Sequence, residues 1–306
     1  MDAENKSRGF SLLEVMISLL VLMIASGAAF SAMSYYQKNY GSTRLRAVMH
    51  EGVRGAVELI SQEVGQAGLL DFQTSFTGAD ITALPYDQTA SLNSVNSIFV
   101  GEILVVGTST QEESVTVHNV DTTVSPPTIT ATFTKNHPAS SAVRAYGVFP
   151  QGILVGTGLS DASHLKIFGD INQDGNITYV VYTCDTTAGT LSRTTTLWTP
   201  DPMWAPNPPN PSSDVLVNNL IDTPGIPPGT CFQYATQSRG TYTFVTSVAI
   251  TLSVQTSKVD PQTRQYVTMT KSFLNLAPRN VLMGLELALS GSTTRLQPTP
   301  ARILLF

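Results

Sequence analysis

The first 38 residues, MDAENKSRGFSLLEVMISLLVLMIASGAAFSAMSYYQK, decide how the rest of the chain is to be read. Lys6 and Arg8 precede an apolar run, and no charged residue occurs from Val15 to Gln37. Those 23 residues make about 34 Å of helix, enough to cross a hydrocarbon core of about 30 Å. The cations before the span predict a cytoplasmic N-terminus by the positive-inside rule. Lys38, Arg44 and Arg46 lie on the far side. A secretory signal peptide is the plain alternative, with Ala25, Ser26, Gly27, Ala28 and Ala29 as small residues near a cleavage point. Two features point elsewhere: the run continues into a long helical pattern, and Glu14 stands at its entrance. A carboxylate at the centre of a membrane costs roughly 2.5–3.5 kcal/mol, less near the interface.

The string Gly9-Phe10-Ser11-Leu12-Leu13-Glu14 resembles the processing motif of type IV prepilins, GF-[ST]-[LI]-x-E. The resemblance implies a leader peptide at residues 1–9, removed by a prepilin peptidase that cuts between Gly9 and Phe10. Phe10 then becomes an N-methylated N-terminus, and Glu14 the fifth mature residue. A glycine before the cut lets catalytic groups approach the backbone. The new amine on Phe10 lies in a low-dielectric layer, where Glu14 of a neighbouring subunit pairs with it, offsetting burial of both charges and fixing axial register.

The helical pattern continues from Thr43 to Gly68, with Leu45, Val48, Val53, Ala56, Val57, Ile60, Val64 and Ala67 at three- and four-residue steps. Arg44, Arg46, Arg54, Glu58 and Glu63 read mostly as lying off this stripe. One N-terminal helix is therefore expected over residues 10–69, its transmembrane part at 10–37, with the stripe laid on a β-sheet. Each of Gly27, Gly41, Gly52, Gly55 and Gly65 weakens an isolated helix by up to about 1 kcal/mol relative to Ala.

Residues 70–306 read as an extracytoplasmic β-rich domain. Strands are expected at 98–106, 114–120, 128–134, 165–168, 177–182, 191–197, 215–220, 242–255 and 266–276. The stretch 200–213 carries too many prolines to be a regular element, and Thr223–Gly229 is a second loop with three. Residues 101–145 read as an inserted hairpin module, and 281–289 fit either a short helix or a strand. The helix end at 56–68, with Glu63 in the acid position, resembles that of PilW-type minor pilins. So does the pair 242–255 and 266–280, closing on Arg279-Asn280. The fold implied is α+β: a long N-terminal helix packed on an antiparallel sheet, a pilin fold with β-rich insertions.

Charged residues are 13% of the chain, with a net charge of −5 and pI near 5.3. No basic stripe marks a nucleic-acid partner. Cys184 and Cys231 are the two cysteines, in no CxxC pair. Since the span places the residues C-terminal to it outside the cytoplasm, they are expected to form a disulfide. Residues 170–176, DINQDGN, resemble half of a calcium loop, with Asp170, Asn172 and Asp174 at alternate positions and Gly175 at the turn. The twelfth position is Val181, which excludes an EF-hand. A looser calcium site and a plain Asx-rich turn both fit. His50, His118, His137 and His164 are scattered, Glu112-Glu113 reads as solvated, and no GxSxG, Walker loop or HExxH occurs. No enzyme activity and no resident cofactor is expected beyond that candidate calcium.

The prepilin resemblance implies an inner-membrane precursor that later moves to a periplasmic or surface filament. Its partners would be the membrane, the prepilin peptidase, an inner-membrane assembly platform and other pilin subunits. Within that class the leading reading is a minor pilin that primes assembly or sits at the tip. A type II secretion pseudopilin of the J type and a tip adhesin with a surface ligand are the alternatives.

Overall fold

The computed structural model describes residues 10–156, 158–200 and 212–305. Residues 1–9, expected as a leader, and most of the proline-rich stretch 200–213 lie outside them. The described chain is a long apolar N-terminal helix followed by antiparallel β-sheets, an α+β, pilin-like architecture. Contacts divide it into two units, one made of residues up to 50 with 256–267, the other of 51–255 with 268–306.

Helix α1 runs unbroken from Leu12 to Gln66. In the first unit it meets the length and composition of a membrane span, and none of its most apolar window is buried by the chain itself. In the second unit its surface changes. Val53, Ala56, Val57, Ile60 and Val64 are buried at helical spacing, as the stripe requires. Of the earlier stripe positions, Val48 is exposed.

The second unit holds three sheets. After α1 come β1 (Leu69–Thr77), β2 (Asp87–Leu92), β3 (Ile103–Val106), β4 (Glu113–Thr116), β5 (Asn119–Asp121), β6 (Thr128–Thr132) and β7 (Ala142–Val148). These form one sheet in the order β4-β3-β7-β1-β2-β6-β5. The stretch expected as an inserted module, 101–145, thus supplies strands to a sheet shared with β1 and β2. β1 pairs with β7 from Leu69↔Val148 to Ser75↔Ala142. Next come β8 (His164–Gly169), β9 (Thr178–Asp185), β10 (Thr190–Leu197) and β11 (Ser212–Asn218), in the order β11-β10-β9-β8. The last set is β12 (Leu220–Ile221), β13 (Phe232–Arg239), β14 (Tyr242–Gln255) and β15 (Thr268–Leu276), with β14 central. Residues 281–289 belong to a helix, α2 (Arg279–Ser290), which ends at Gly291 in the left-handed conformation.

One apolar core joins the first two sheets. It includes Phe72, Phe76, Leu104, Phe133, Phe149 and Phe168. Phe149 and Phe168 have ring centroids 4.7 Å apart, and Phe99 meets Trp198 edge-on at 5.8 Å. The C-terminal tail closes over this core. Leu296 bridges to Val148, the buried Gln297 side chain bonds both the amide and the carbonyl of Ile103, and Ile303 is buried.

The passage from α1 to β1 depends on glycine. Gly68 has φ +82, and a β-carbon there would stand 2.8 Å from the Phe149 carbonyl oxygen. Gly152 crosses it so closely that its own β-carbon would lie 2.3 Å from Gly68 Cα. Asn280 at the start of α2 donates its amide to the Gly65 and Gln66 carbonyls, which the end of a helix leaves without partners.

Glu63, expected off the apolar stripe, is buried. Its carboxylate takes a fork of bonds from Arg193 on β10 and the hydroxyl hydrogen bond of Tyr182 on β9. Burial pushes the Tyr182 hydroxyl far above its ordinary pKa, and the Glu63 charge adds to this, so Tyr182 stays a donor. Glu63→Ala would strand the Arg193 guanidinium and the hydroxyl together. It is expected to destabilise the detergent-solubilised chain by about 3–5 kcal/mol. Denaturant unfolding should show Glu63→Leu with Arg193→Leu recovering part of that loss.

Candidate processing and assembly site

Phe10 stands before the helix and is 80% exposed. The first helical bond runs from the Val15 amide to the Ser11 carbonyl. Glu14 therefore lies in the first turn, where the positive end of the helix dipole favours a carboxylate. Its carbonyl accepts the Ser18 hydroxyl at 2.8 Å. Among the described residues no side chain pairs with the Glu14 carboxylate. Around it, Phe10, Leu12, Leu13, Val15, Met16 and Ile17 are all open. This end of the chain is an apolar rod with one acid near its start. Such a surface is stable in lipid or against other apolar helices, not in water.

Cys184 on β9 and Cys231, just before β13, form a disulfide with Cα atoms 6.3 Å apart. It links the second and third sheets of the larger unit. Near it the Cys231 and Phe232 amides both bond to the Ala162 carbonyl, and the Cys184 amide to that of Ser163. The bond closes 47 residues of separation, worth about 4 kcal/mol by the chain-entropy account.

The structure places Asp170 at the end of β8 with its side chain buried. One carboxylate oxygen accepts the Asp174 amide at 2.9 Å, the other the Gly175 amide at 3.0 Å. The Asp174 carboxylate in turn accepts the Asn176 amide. These bonds make an Asx-type turn that aims the chain into β9. Burial raises the Asp170 pKa, more than the two amides lower it, with Asp174 and Asp71 adding repulsion. Among the described residues no three or more His, Cys, Asp or Glu side chains converge as a metal site.

Three of the four histidines, which showed no partners in sequence, have them in space. His118 meets Asp87 at 2.8 Å, His164 meets Asp161 at 3.0 Å, and buried His137 meets Glu113 at 2.6 Å. Glu113 is therefore not solvated as its sequence suggests. Burial alone would raise its pKa, but the bonds from Thr134, His137 and Lys135 outweigh that and hold it below the ordinary value. His164 Nδ1 also meets the Ser163 hydroxyl at 2.9 Å, and Asp161 accepts the Ser163 and His164 amides, so this cluster caps a turn.

Comparison with known families agrees with the helix. Residues 5–30 match the family model described as the prokaryotic N-terminal methylation motif. No curated protein and no solved structure matches the chain. The N-terminal segment thus carries the motif of type IV prepilin-like proteins, and that motif implies prepilin-peptidase processing and assembly with pilins.

The Asx turn and a loose calcium site make different demands on Asp170. A cation held by Asp170, Asn172 and Asp174 would raise the stability of the chain by about 2.7 kcal/mol at a hundredfold excess over its dissociation constant. Melting with calcium against chelator checks this. An unchanged midpoint assigns these side chains to the turn alone.

Proposed function

We propose that this chain is the precursor of a minor pilin. The peptidase cuts it between Gly9 and Phe10 at the cytoplasmic face of the inner membrane, and Phe10 is then N-methylated. The mature chain passes through an inner-membrane assembly platform into a filament, where it serves as a priming or tip subunit. The observation that carries this reading is the exposure of α1. From Leu12 to Tyr40 nearly every side chain is open, although the chain has a large folded body elsewhere. A bilayer before assembly, and neighbouring helices after it, are the two environments that cover such a rod.

Glu14 takes the assembly role because its surroundings leave it nothing else to do. In a bundle of such helices its carboxylate is brought out of water, and the Phe10 amine of the next subunit is the cation at hand. The partial resemblance of the helix end and of Arg279-Asn280 to PilW-type minor pilins supports the minor role. So does the length of 306 residues, since main shaft subunits of such filaments tend to be smaller. Mass spectrometry of sheared filaments tests it. The expected result is this chain at low ratio to the main subunit, starting at methylated Phe10. Its recovery as the principal subunit would overturn the minor role.

Gly9→Val is expected to leave uncut precursor in the inner membrane, seen as retention of residues 1–9 by N-terminal mapping. A mature wild-type chain that begins near Ala28 would instead mean a secretory signal peptide. Glu14→Ala is expected to be cut normally and to enter filaments about tenfold less or worse, the modest end of what an unpaired buried charge costs. Equal incorporation of mutant and wild type would remove the pairing role.

A further inference from the structure

The smaller unit contains one feature that the filament reading leaves unused. Residues 256–267, which connect β14 to β15, fold into a compact loop. The Thr256 amide bonds to the Val267 carbonyl, the Asp260 amide to that of Gln265, and the Arg264 amide to that of Asp260. The loop is pinned to α1 beside it. Asp260, 1% exposed, accepts the Ser42 hydroxyl at 2.8 Å and the Arg46 guanidinium at 3.2 Å. The Gln262 side-chain amide donates to the Asn39 side chain at 3.1 Å. Pro261 lies against Gly41, where a β-carbon would sit 3.5 Å from its ring. The Gln262 backbone amide first, then Ser42, hold the Asp260 carboxyl below its ordinary pKa, with Arg46 adding to them. The pin is therefore formed at neutral pH and is lost only as the pH falls through that lowered value.

The level of this loop along the helix is informative. The uncharged run ends at Gln37, and the pinned residues are Asn39 to Arg46. At 1.5 Å per residue the loop lies about 3–14 Å beyond the end of the run. The headgroup layer of a bilayer occupies about 5–8 Å on each side of its hydrocarbon core. Tyr35, Tyr36 and Tyr40 are exposed at this level, the residue type that marks a membrane interface. The loop itself exposes Lys258, Val259, Arg264 and Tyr266. Over residues 38–50 and 256–267 the cations are Lys38, Arg44, Arg46, Lys258 and Arg264, and Asp260 is the one acid. On a chain of net charge −5 this is a local reversal of sign.

We propose that the 256–267 loop is a membrane-contact element of the precursor. It sets Lys258 and Arg264 against anionic phospholipid headgroups and lays Val259 and Tyr266 into the interface. The proposal rests on the reading that α1 spans a bilayer before assembly. Each cation near an anionic leaflet contributes about fivefold to the contact equilibrium, and the tyrosine and valine add apolar burial. The contact then has to be released when the helix leaves the bilayer for a filament.

Spin labels on the full-length precursor test this, in vesicles of phosphatidylethanolamine and phosphatidylglycerol. The Cys184–Cys231 disulfide leaves an introduced cysteine as the reactive thiol. Labels go on Leu22→Cys in the span, Val259→Cys in the loop and Thr187→Cys, an exposed site of the larger unit. Collisions with oxygen and with a water-soluble nickel chelate report depth. The expected result is Leu22 in the hydrocarbon, Val259 shielded at headgroup depth and Thr187 in water. Lys258→Glu with Arg264→Glu should return the Val259 label toward water by at least about fivefold per cation removed. Asp260→Asn should do the same by unpinning the loop, with the melting of the body unchanged. Leu22 in hydrocarbon with Val259 as wet as Thr187 would overturn the proposal and leave the spanning reading intact. Leu22 in water would overturn both. Equal shielding of Val259 in pure phosphatidylcholine, or shielding in assembled filaments alone, would overturn it in favour of a charge-independent or a subunit contact.

Discussion

The last turns of α1 are where the larger unit takes hold of its helix, and the grip is electrostatic as well as apolar. Val53, Ala56, Val57, Ile60 and Val64 supply buried surface, but apolar contact is non-directional and would tolerate rotation or sliding. Glu63 removes that freedom. Its carboxylate is met by the planar fork of Arg193 and by Tyr182 from adjacent strands, and a fork geometry admits one orientation. Three residues later the helix ends, and the chain must turn at once. Gly68 does so in the left-handed region, under a crossing with Gly152 that admits no β-carbon on either side. Asn280 then satisfies the carbonyls that the turn leaves behind. The register of β1, and through β7 and β2 that of the whole seven-stranded sheet, is set by this junction.

The single helix answers two solvents. Toward its start it is apolar on all sides, which suits lipid and other helices. Toward its end it is apolar on one stripe, which suits a sheet. The five glycines do not interrupt it. At Gly27, Gly52, Gly55 and Gly65 an added β-carbon would meet nothing within 4 Å, so the folded chain itself does not require glycine there. Small residues on exposed helix faces allow close approach of other helices, which is consistent with a partner outside the chain.

Much of this is legible in the sequence. The uncharged run, the motif GFSLLE and the apolar stripe predict one long helix, and β14 matches the expected strand 242–255. β-Branched and apolar alternation makes β6, β8, β9, β10 and β15 visible as well. β1, β2 and β7 do not read as strands. β1 begins two residues after the helix, without a linker, and its middle reads Asp-Phe-Gln-Thr-Ser. β2 is Asp-Gln-Thr-Ala-Ser-Leu, more polar still. These strands are fixed by pairing with β7 and β6, and such long-range pairing leaves little local signal. α2 is undecided from sequence because a short apolar run fits both periods. Glu63 escapes a sequence reading for a related reason: an acid on a helix reads as solvated until the fold brings Arg193 to it across 130 residues.

The acids show how far charge organises this protein. Only 13% of residues are charged, yet among the described residues five carboxyls are taken from water, each by a different means. Glu63 is paired with an arginine fork, and Glu113 is hydrogen-bonded by His137, Thr134 and the Lys135 amide. Asp170 is held by two backbone amides and Asp260 by Ser42, Arg46 and the Gln262 amide. Glu102 has one bond, from the Phe99 amide, its other oxygen has no partner among the described residues, and burial raises its carboxyl well above the ordinary range. A buried acid is tolerated when its partners are in place before it is desolvated. Four of the five sit where the chain turns or where two elements must register: the helix end, the Asx turn into β9, the tip of the β14–β15 connection and the start of β3. Glu14 is the exception among the acids placed in apolar surroundings, since among the described residues it has no partner within its own chain. Glu63, Glu113, Asp170 and Asp260 show what the fold does with a carboxylate that it satisfies internally. That contrast is consistent with the proposed pairing of Glu14 across subunits.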